Sequence, residues 1–338
     1  MAVAAVVLDV DTGQILARVQ VPDYDPNKPD WQDRVLADDE VFLKKFRGAY
    51  GEWPDKTGVQ GMFQAGSVGK LFTALAAVRA NQTAAKFECK EADEQGPLFT
   101  LKGWPKPIHD HFGDRPHGTP GLIEAIAVSC NVYFAQLGLA LGPEPFVALR
   151  KDGLEVGYGT RLDPGKPGTR QLASTAFGQG AMVMNVVQAA RMVGALAGGG
   201  HYRRCTLELA AKCSDTSLVA DPAALQPILT GMRRVMTGGT GVHLTQPAGL
   251  RVYGKTGTAD VRGFAGEEPF GIARAQTAAP HSWFAAFAEP ASTAELAPTA
   301  PGRLAVAVVV PRGGTGASAA GPLAMQILAA AQTLGYLR

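Results

Sequence analysis

The sequence predicts an α/β protein in which a five-stranded antiparallel sheet, flanked by helices, carries a large all-helical insertion subdomain. Strand-like apolar patterns occur at both ends of the 338-residue chain, and helical spacing of apolar residues prevails between them. Two N-terminal and three C-terminal strands can close into one sheet around such an insertion. The chain, 1–338, is therefore predicted to be a single domain. Its α/β part is expected at about 1–66 plus 203–338, and its helical part at about 67–202.

The strands are predicted from apolar runs that are bounded by turn residues. Residues 3–10 form one such run, Asp11-Thr12-Gly13 is a tight turn, and residues 14–19 return as a second strand. The polar stretch 22–55 is rich in proline and aspartate and is predicted to be mostly loop, with one short helix. Beyond residue 250 the spacing again becomes that of strands. The three C-terminal strands are predicted at 251–255, 282–289 and 303–311.

Apolar residues at helical spacing predict helices through the middle of the chain and at its C-terminal end. The glycine runs 198–200 and 238–239 are stop signals for the helices that precede them. The helices are predicted at 67–80, 122–128, 132–141, 182–196, 222–236 and 321–334.

Composition excludes several classes of function. The chain is 46% apolar and 18% charged, which is typical of a folded domain, and its net charge is +2. No block of like charges is present, so the sequence predicts neither nucleic-acid binding nor attachment to anionic lipid. The apolar runs 1–8 and 304–310 are strand-sized, far short of the ~20 residues that a membrane span needs. The N-terminus also lacks the basic residues and cleavage site of a signal peptide.

Cysteine and histidine usage is a weak indicator of chemistry in this chain. It has four cysteines and no Cys-x-x-Cys. Cys205 and Cys213 are close enough in sequence to pair across a hairpin in an oxidising compartment, and free thiols are the alternative. One short segment could supply metal ligands, but histidines in a loop rich in glycine and proline more often belong to a solvated loop, so no metal is expected. That segment contains His109, Asp110, His111, Asp114 and His117.

The string Ser67-Val68-Gly69-Lys70 predicts a nucleophile with its base. Ser67 and Lys70 are three residues apart, so on a helix their side chains share one face. A serine hydroxyl is a weak nucleophile without an adjacent base, and lysine serves as that base when burial or a nearby cation lowers its pKa. Lys255 could be that cation. Taken alone, the string is also compatible with a helix cap and a solvated lysine.

Two further strings follow in order along the chain. Ser129-Cys130-Asn131 interrupts two apolar stretches, either as a simple turn or as a loop that presents Ser129 and Asn131 to a cleft while Cys130 faces the core. Lys255-Thr256-Gly257-Thr258 lies on a predicted strand, where Gly257 would let a substrate approach and the lysine and threonines would hold a carboxylate. The alternative is an edge strand with a solvated lysine. An earlier Lys56-Thr57-Gly58 is interpreted as a turn.

These three motifs resemble those of the penicillin-binding proteins, the serine D,D-transpeptidases of class B type, which share a superfamily with the serine β-lactamases. The resemblance covers essentially the whole chain. Residues 5–17 are similar to the family's opening hairpin, residues 177–180 to its Gly-Gln-Gly loop, and residues 281–287 to the strand after Lys-Thr-Gly.

The resemblance implies a role for each motif residue and a serine β-lactamase/transpeptidase-like fold without a cofactor. Ser67 would attack the penultimate D-alanine carbonyl of a peptidoglycan stem peptide, Lys70 would be the general base, and Ser129 would pass the proton to the departing D-alanine. The backbone N–H groups of Ser67 and Thr258 would form the oxyanion hole. The substrate-binding residues would be Asn131, Lys255, Thr256, Gly257 and Thr258.

The resemblance also implies partners and a location. It implies stem peptide and β-lactam antibiotics as ligands, a membrane glycosyltransferase as partner, and a place on the outer face of a bacterial cytoplasmic membrane. The chain departs from the class B pattern because it starts at the first strand, without the N-terminal anchor and pedestal. The nucleophile is also preceded by Phe63-Gln64-Ala65-Gly66 where that class usually has Pro-Gly. A fragment of a longer protein, or an unusually small member, is expected.

Three other functions fit the same motifs. A D,D-carboxypeptidase differs only in using water as the acceptor. A β-lactamase must hydrolyse its acyl-enzyme quickly. Class A enzymes use an extra glutamate, but in the corresponding region Glu155 lies in a pattern that resembles the transpeptidases instead. A class D-like enzyme would use a modified Lys70. Asn131 favours a transpeptidase over a class D-like β-lactamase. A β-lactam sensor, acylated once without turnover, is the alternative outside the enzymes.

Overall fold

The structure is a computed structural model that describes residues 3–21, 63–111, 113–157, 163–205, 213–259, 279–291 and 302–337. The strands are β1 Val3–Asp9, β2 Ile15–Val21, β3 Phe63–Gln64, β4 Ala92–Asp93, β5 Gly96–Phe99, β6 Ile108–His109, β7 Val183–Met184, β8 His201–Arg204, β9 Ser214–Ser217, β10 Leu250–Ala259, β11 His281–Pro290 and β12 Leu304–Val310. The helices are α1 Lys70–Arg79, α2 Leu122–Val128, α3 Asn131–Leu141, α4 Glu144–Lys151, α5 Arg170–Ala176, α6 Val186–Ala197, α7 Gln226–Gly238 and α8 Ala320–Thr333.

Five strands form the central antiparallel sheet, in the order β10-β11-β12-β1-β2. This confirms the predicted fold class, because the two N-terminal strands pair with the three C-terminal ones and the helices α1 to α7 lie between them in sequence. Every residue of β11 and β12 is buried, so helices must cover both faces of the sheet. β10 is an edge strand, and its outer edge is therefore open to a cleft or a ligand.

The helices α6 and α8 cover opposite faces of the sheet. A Cβ at Gly194 of α6 would lie 2.9 Å from Leu8, which pairs with Ala305. The N-terminal residue of α8 instead donates its backbone N–H to Ser282 Oγ, and Ser282 pairs with Val310. Residues 305 and 310 are an odd number apart on one strand, so they face opposite sides. The sheet is thus the middle of three layers.

Most predicted elements are confirmed, and their ends differ by a few residues. The predicted helix at 182–196 begins later, at Val186, because Asn185 and Gln188 form a capping box there. The strands β3 to β9 and the helices α4 and α5 did not emerge from the sequence patterns. These strands have two to four residues each, too few for a periodic signal. The predictions for 22–55 and for the turn at 56–58 lie outside the described residues. The division into two parts at 66/67 and 202/203 stays a prediction.

A disulfide joins Cys205 and Cys213, so pairing across a hairpin, one of the two possibilities that the sequence left open, is the one found. The flanking strands β8 and β9 pair in register from His201–Ser217 to Arg204–Ser214. In the described part of the chain, no single helix is long and apolar enough to cross a membrane. Among the described helices, only α3 and α4 together reach that length and composition, as a pair bent by 85°.

Candidate active site

Ser67 lies in a 3-10 turn, Gly66–Gly69, directly before α1. The sequence pattern had predicted a single helix from residue 67, but the first turn is tighter because it packs against β10. Gly66 has φ +52°, and a Cβ there would lie 2.6 Å from the carbonyl oxygen of Thr258. Glycine is therefore required both by the backbone conformation and by the close approach. The contact fixes the Gly66–Gly69 turn, which carries Ser67, beside the edge strand β10.

Lys70, the first residue of α1, has no exposed surface, and its Nζ is surrounded by oxygen atoms. Nζ lies 3.0 Å from Ser67 Oγ, 3.1 Å from Ser129 Oγ and 2.6 Å from Asn131 Oδ1, and it also donates to the Ser129 carbonyl oxygen. The carbonyl and amide oxygens can only accept, so they take two N–H groups of the amine. The lone pair of a neutral Lys70 is then left for a hydroxyl, and Ser67 is within reach.

Burial supplies the pKa shift that a lysine base needs. Desolvation lowers the pKa of Lys70 to about 8, although the charge of Asp110 acts in the opposite direction. The repulsion between the two lysines acts mainly on Lys255, whose pKa is lowered first by burial and then by the charge of Lys70. Burial, rather than the nearby cation expected from the sequence, is thus the cause of the lowered pKa of Lys70.

Ser129 occupies the turn between α2 and α3 in a left-handed conformation, with φ 63° and ψ 35°. A residue other than glycine in this region carries about 1–3 kcal/mol of strain, which persists where the surroundings enforce it. The turn presents Ser129 Oγ to both lysines, 3.1 Å from Lys70 Nζ and 2.8 Å from Lys255 Nζ. The alternative interpretation of Ser129-Cys130-Asn131, a simple turn between two helices, is therefore wrong.

Asn131 and Cys130 hold the other half of this turn. Asn131 Nδ2 donates to the His109 carbonyl oxygen at 2.9 Å, which orients the amide so that Oδ1 faces Lys70. Its backbone N–H donates to the carboxylate of Asp110. Cys130 is fully buried, as predicted, and caps α3 by accepting from the Tyr133 N–H at 3.2 Å. Residues 109 and 110 thus hold the Ser129–Asn131 turn in place through their hydrogen bonds with Asn131.

Lys255 is fully buried on β10, so the solvated lysine considered as an alternative is wrong. Its Nζ donates to Ser129 Oγ at 2.8 Å and to the Thr256 carbonyl oxygen at 3.1 Å. The Thr256 hydroxyl shares a 2.6 Å hydrogen bond with Thr240 Oγ1. Thr240 was missed by sequence reasoning, because it follows the glycine stop of α7 and has no motif of its own.

Glycine is required at position 257 by the packing of the protein itself, apart from the predicted approach of substrate. A Cβ there would lie 2.8 Å from Trp283 Cβ and 3.0 Å from Val68 Cγ2. The glycine therefore lets β10 approach the Gly66–Gly69 turn. Substrate contact by Thr256, Gly257 and Thr258, and an oxyanion hole made by the backbone N–H groups of Ser67 and Thr258, stay predictions.

Four side chains that could hold a metal ion converge beside this site. The ligand atoms of Cys89, Asp110, His117 and Cys130 all lie within 4.8 Å of one another. The interpretation of residues 109–117 as a solvated loop is therefore wrong for Asp110 and His117, because Asp110 is only 7% exposed and His117 Nδ1 lies 3.2 Å from its carboxylate. His109 pairs instead with Asp93, at 3.0 Å. Sequence reasoning missed Cys89 because it is 21 residues from Asp110 and forms no motif.

Comparison with known proteins places this architecture in a family. The family model described as penicillin binding protein transpeptidase domain matches residues 3–329. Peptidoglycan D,D-transpeptidase PbpA of Mycobacterium tuberculosis is 27% identical over 97% of this chain. Peptidoglycan D,D-transpeptidase MrdA of Haemophilus influenzae is 25% identical over 96% of it. The chain spans 66% of the PbpA sequence and 52% of the MrdA sequence.

Solved structures show the same fold. The penicillin G acyl-enzyme complex of penicillin-binding protein A from M. tuberculosis superposes with a TM-score of 0.68 at 23% identity, covering 98% of this chain and 74% of that one. PBP2 of Pseudomonas aeruginosa gives 0.67 at 23% identity, covering 96% and 70%. The sheet, the helices and the three motifs, which meet at the hydrogen bonds of Lys70 and Ser129, define the class of the penicillin-binding protein transpeptidase domains. The chain belongs to the penicillin-binding protein transpeptidase domain family.

Proposed function

We propose that this chain is the catalytic domain of a peptidoglycan D,D-transpeptidase that is acylated by β-lactams. The observation that carries the proposal is the position of the Lys70 amine, 3.0 Å from Ser67 Oγ and 3.1 Å from Ser129 Oγ. One buried base thus contacts both hydroxyls that the reaction requires. The curated relatives PbpA and MrdA carry the name peptidoglycan D,D-transpeptidase, which supports the same activity.

The proposed reaction follows the hydrogen bonds of the site. Neutral Lys70 takes the proton of Ser67 as its oxygen attacks the penultimate D-alanine carbonyl of a stem peptide, and the backbone N–H groups of Ser67 and Thr258 stabilise the oxyanion. Ser129 gives its proton to the departing D-alanine and regains one through Lys70, while Lys255 orients its hydroxyl. An amine of a neighbouring stem then attacks the acyl-enzyme and yields the cross-link.

The alternatives based on β-lactamases have less support. The Glu155 carboxylate accepts from Arg191 at 2.9 Å and from the Tyr202 hydroxyl at 3.0 Å, so it is engaged in a structural ion pair. A class D-like carbamate on Lys70 would place a negative charge against the Ser129 carbonyl and Asn131 Oδ1, which already face Nζ. Repulsion between these acceptors disfavours the modified lysine.

A place on the outer side of a bacterial cytoplasmic membrane fits the proposed substrate. The Cys205–Cys213 disulfide supports this location, since disulfides persist in oxidising compartments. A membrane glycosyltransferase that supplies the glycan strand is the proposed partner.

The activity is tested with a stem pentapeptide that ends in D-Ala-D-Ala, together with an amine acceptor. We expect the cross-linked product by mass spectrometry, with release of D-alanine and inhibition by benzylpenicillin. Hydrolysed tetrapeptide alone would identify a carboxypeptidase. Stable acylation by benzylpenicillin with no turnover of peptide would identify a sensor, and rapid destruction of the drug would identify a β-lactamase. Each of these three outcomes contradicts the proposal.

The rate of acylation should rise with pH. Because burial lowers the pKa of Lys70 to about 8, the neutral base is the minor form at pH 7 and the major form above the pKa. The second-order rate constant for benzylpenicillin should increase roughly tenfold per pH unit well below the midpoint and level off above it. Stopped-flow competition with a fluorescent penicillin measures this profile, with spontaneous hydrolysis of the drug subtracted at each pH. A flat profile from about pH 6 to pH 9 would rule out Lys70 as the titrating base.

A further inference from the structure

The antiparallel hairpin of β5 and β6 ends in a tip, residues 100–107, that carries a tryptophan between two lysines. Trp104 is 41% exposed, and Lys102 and Lys106 are exposed on either side of it. The tip contains no aspartate or glutamate. Tryptophan is largely buried in most folded proteins, and its large indole is enriched where proteins contact ligands. An exposed indole between two cations is therefore a candidate contact for a ligand.

The tip is held in a fixed shape although its side chains face solvent. The base of the hairpin packs against α3 and α5 through apolar side chains of β5 and β6. Within the tip, the Trp104 N–H donates to the Leu101 carbonyl oxygen at 3.0 Å. The guanidinium of Arg170, the first residue of α5, donates to the carbonyl oxygen of Lys106 and, at 3.4 Å, to that of Pro107. A ligand that binds a rigid tip loses less free energy in ordering it.

The same hairpin leads directly into the candidate active site. Its strand β6 ends at His109, whose carbonyl oxygen accepts from Asn131 Nδ2 at 2.9 Å, and Asn131 Oδ1 lies 2.6 Å from Lys70 Nζ. Trp104 precedes His109 by about five residues, so their Cα atoms are at most about 18 Å apart. A stem peptide separates its sugar from the attacked carbonyl by about four residues, or about 14 Å when extended. The sugar can therefore reach the tip.

The side chains of the tip suit a sugar. The C–H bonds of a pyranose ring pack against the electron-rich face of an indole, and a single tryptophan matches a single sugar ring. Each lysine ammonium offers three N–H donors for the hydroxyl and acetamido oxygen atoms around that ring. A segment that lies on a membrane instead presents a whole row of apolar side chains to the lipid. The tip has one aromatic residue, so its chemistry favours a glycan over a lipid surface.

We propose that Trp104, Lys102 and Lys106 bind the glycan strand that carries the stem peptide. The identity of this ligand rests on the proposed function, to which it adds a second point of recognition besides the terminal D-alanine. The indole stacks on one sugar ring while the two lysines donate to the oxygen atoms at its edges. The chain would then prefer stem peptides on a polymerised glycan over free peptides.

Binding is tested by calorimetry on the whole chain, with glycan strands freed of their peptides by an amidase. We expect saturable binding that weakens about tenfold in Trp104→Ala and is retained in Trp104→Tyr, which keeps an aromatic face. Tyr336→Ala, at an aromatic residue that is 52% exposed near the C-terminus, should bind as the wild type does. No binding, or equal binding by Trp104→Ala, would overturn the site. Binding of anionic phospholipid vesicles in place of glycan, lost in Trp104→Ala, would overturn it as well.

The role in catalysis is measured with two substrates, uncross-linked glycan strands that bear stem pentapeptides and the free pentapeptide. The ratio of their kcat/KM values should fall about tenfold in Trp104→Ala, mainly through KM for the glycan-linked substrate, and stay at the wild-type value in Tyr336→Ala. A distorted active site would slow both substrates alike, so an unchanged ratio in Trp104→Ala would overturn this role. A chain that binds glycan but neither turns over stem peptide nor is acylated by benzylpenicillin would instead contradict the proposed function and leave the glycan site standing.

Discussion

Ser67→Ala is expected to abolish covalent attachment of benzylpenicillin. Removing Oγ deletes the only atom that the proposed mechanism uses to form the acyl-enzyme, so the loss should be at least about 10⁴-fold. Intact-mass spectrometry followed over hours measures it directly: the wild type gains one drug mass and the variant gains none. The substitution removes one oxygen from a largely buried side chain, so the fold should be retained.

A control substitution at another serine shows whether the loss of acylation is specific to Ser67. Ser217 lies on β9 and is exposed, and Ser217→Ala should be acylated at the wild-type rate. Far-ultraviolet circular dichroism and a thermal midpoint verify that both variants are folded. An adduct of full stoichiometry on folded Ser67→Ala would place the nucleophile elsewhere and remove the basis of the proposed mechanism.

Lys70→Arg has the second largest expected effect, and it distinguishes a base from a mere positive charge. Arginine keeps the cation but stays protonated at all accessible pH values, so it cannot accept the Ser67 proton. Loss of general-base catalysis costs about 10²- to 10⁴-fold. We therefore expect acylation to fall by about 10³-fold and to lose its rise near the pKa of Lys70, which burial places at about 8.

Lys70→Met provides the comparison, because it has a similar length and no charge. Both variants should lose acylation to a similar extent, since neither side chain can take a proton. Methionine also leaves the Ser129 carbonyl and Asn131 Oδ1 without their donor, so its thermal midpoint is measured alongside. If Lys70→Arg kept more than roughly a tenth of the wild-type rate, Lys70 would act through its charge, and the base would have to be another group.

The sequence predicted the central sheet well because each strand is a continuous apolar run. β11 and β12 are buried along their whole length, and such segments stand out without any knowledge of their partners. The strand β3 was missed because two residues carry no periodicity, and α5, with the sequence RQLASTA, was missed because it contains only one large apolar residue. The 3-10 turn at Ser67 was also missed, since its geometry depends on Gly66 meeting the backbone of Thr258.

In the candidate site, too, some features were predictable from the sequence and others depend on the fold. The three motifs identified Ser67, Lys70, Ser129 and Lys255, because their residue types and order are distinctive in the sequence itself. The sequence could not show that Lys255 bonds to Ser129 at 2.8 Å, nor that burial rather than Lys255 mainly lowers the pKa of Lys70. Desolvation depends on which atoms surround a group, and that is a property of the fold.

The sequence by itself determined the class of fold, the order of the strands along the chain and the residues able to carry acyl transfer, because these depend on local periodicity and residue chemistry. Only the tertiary structure decided which groups meet. It brings Cys89, Asp110, His117 and Cys130 together from separate segments, and it turns Asp110 inward beneath the Ser129–Asn131 turn. Contacts between residues far apart in sequence arise when the chain packs, so no local pattern encodes them.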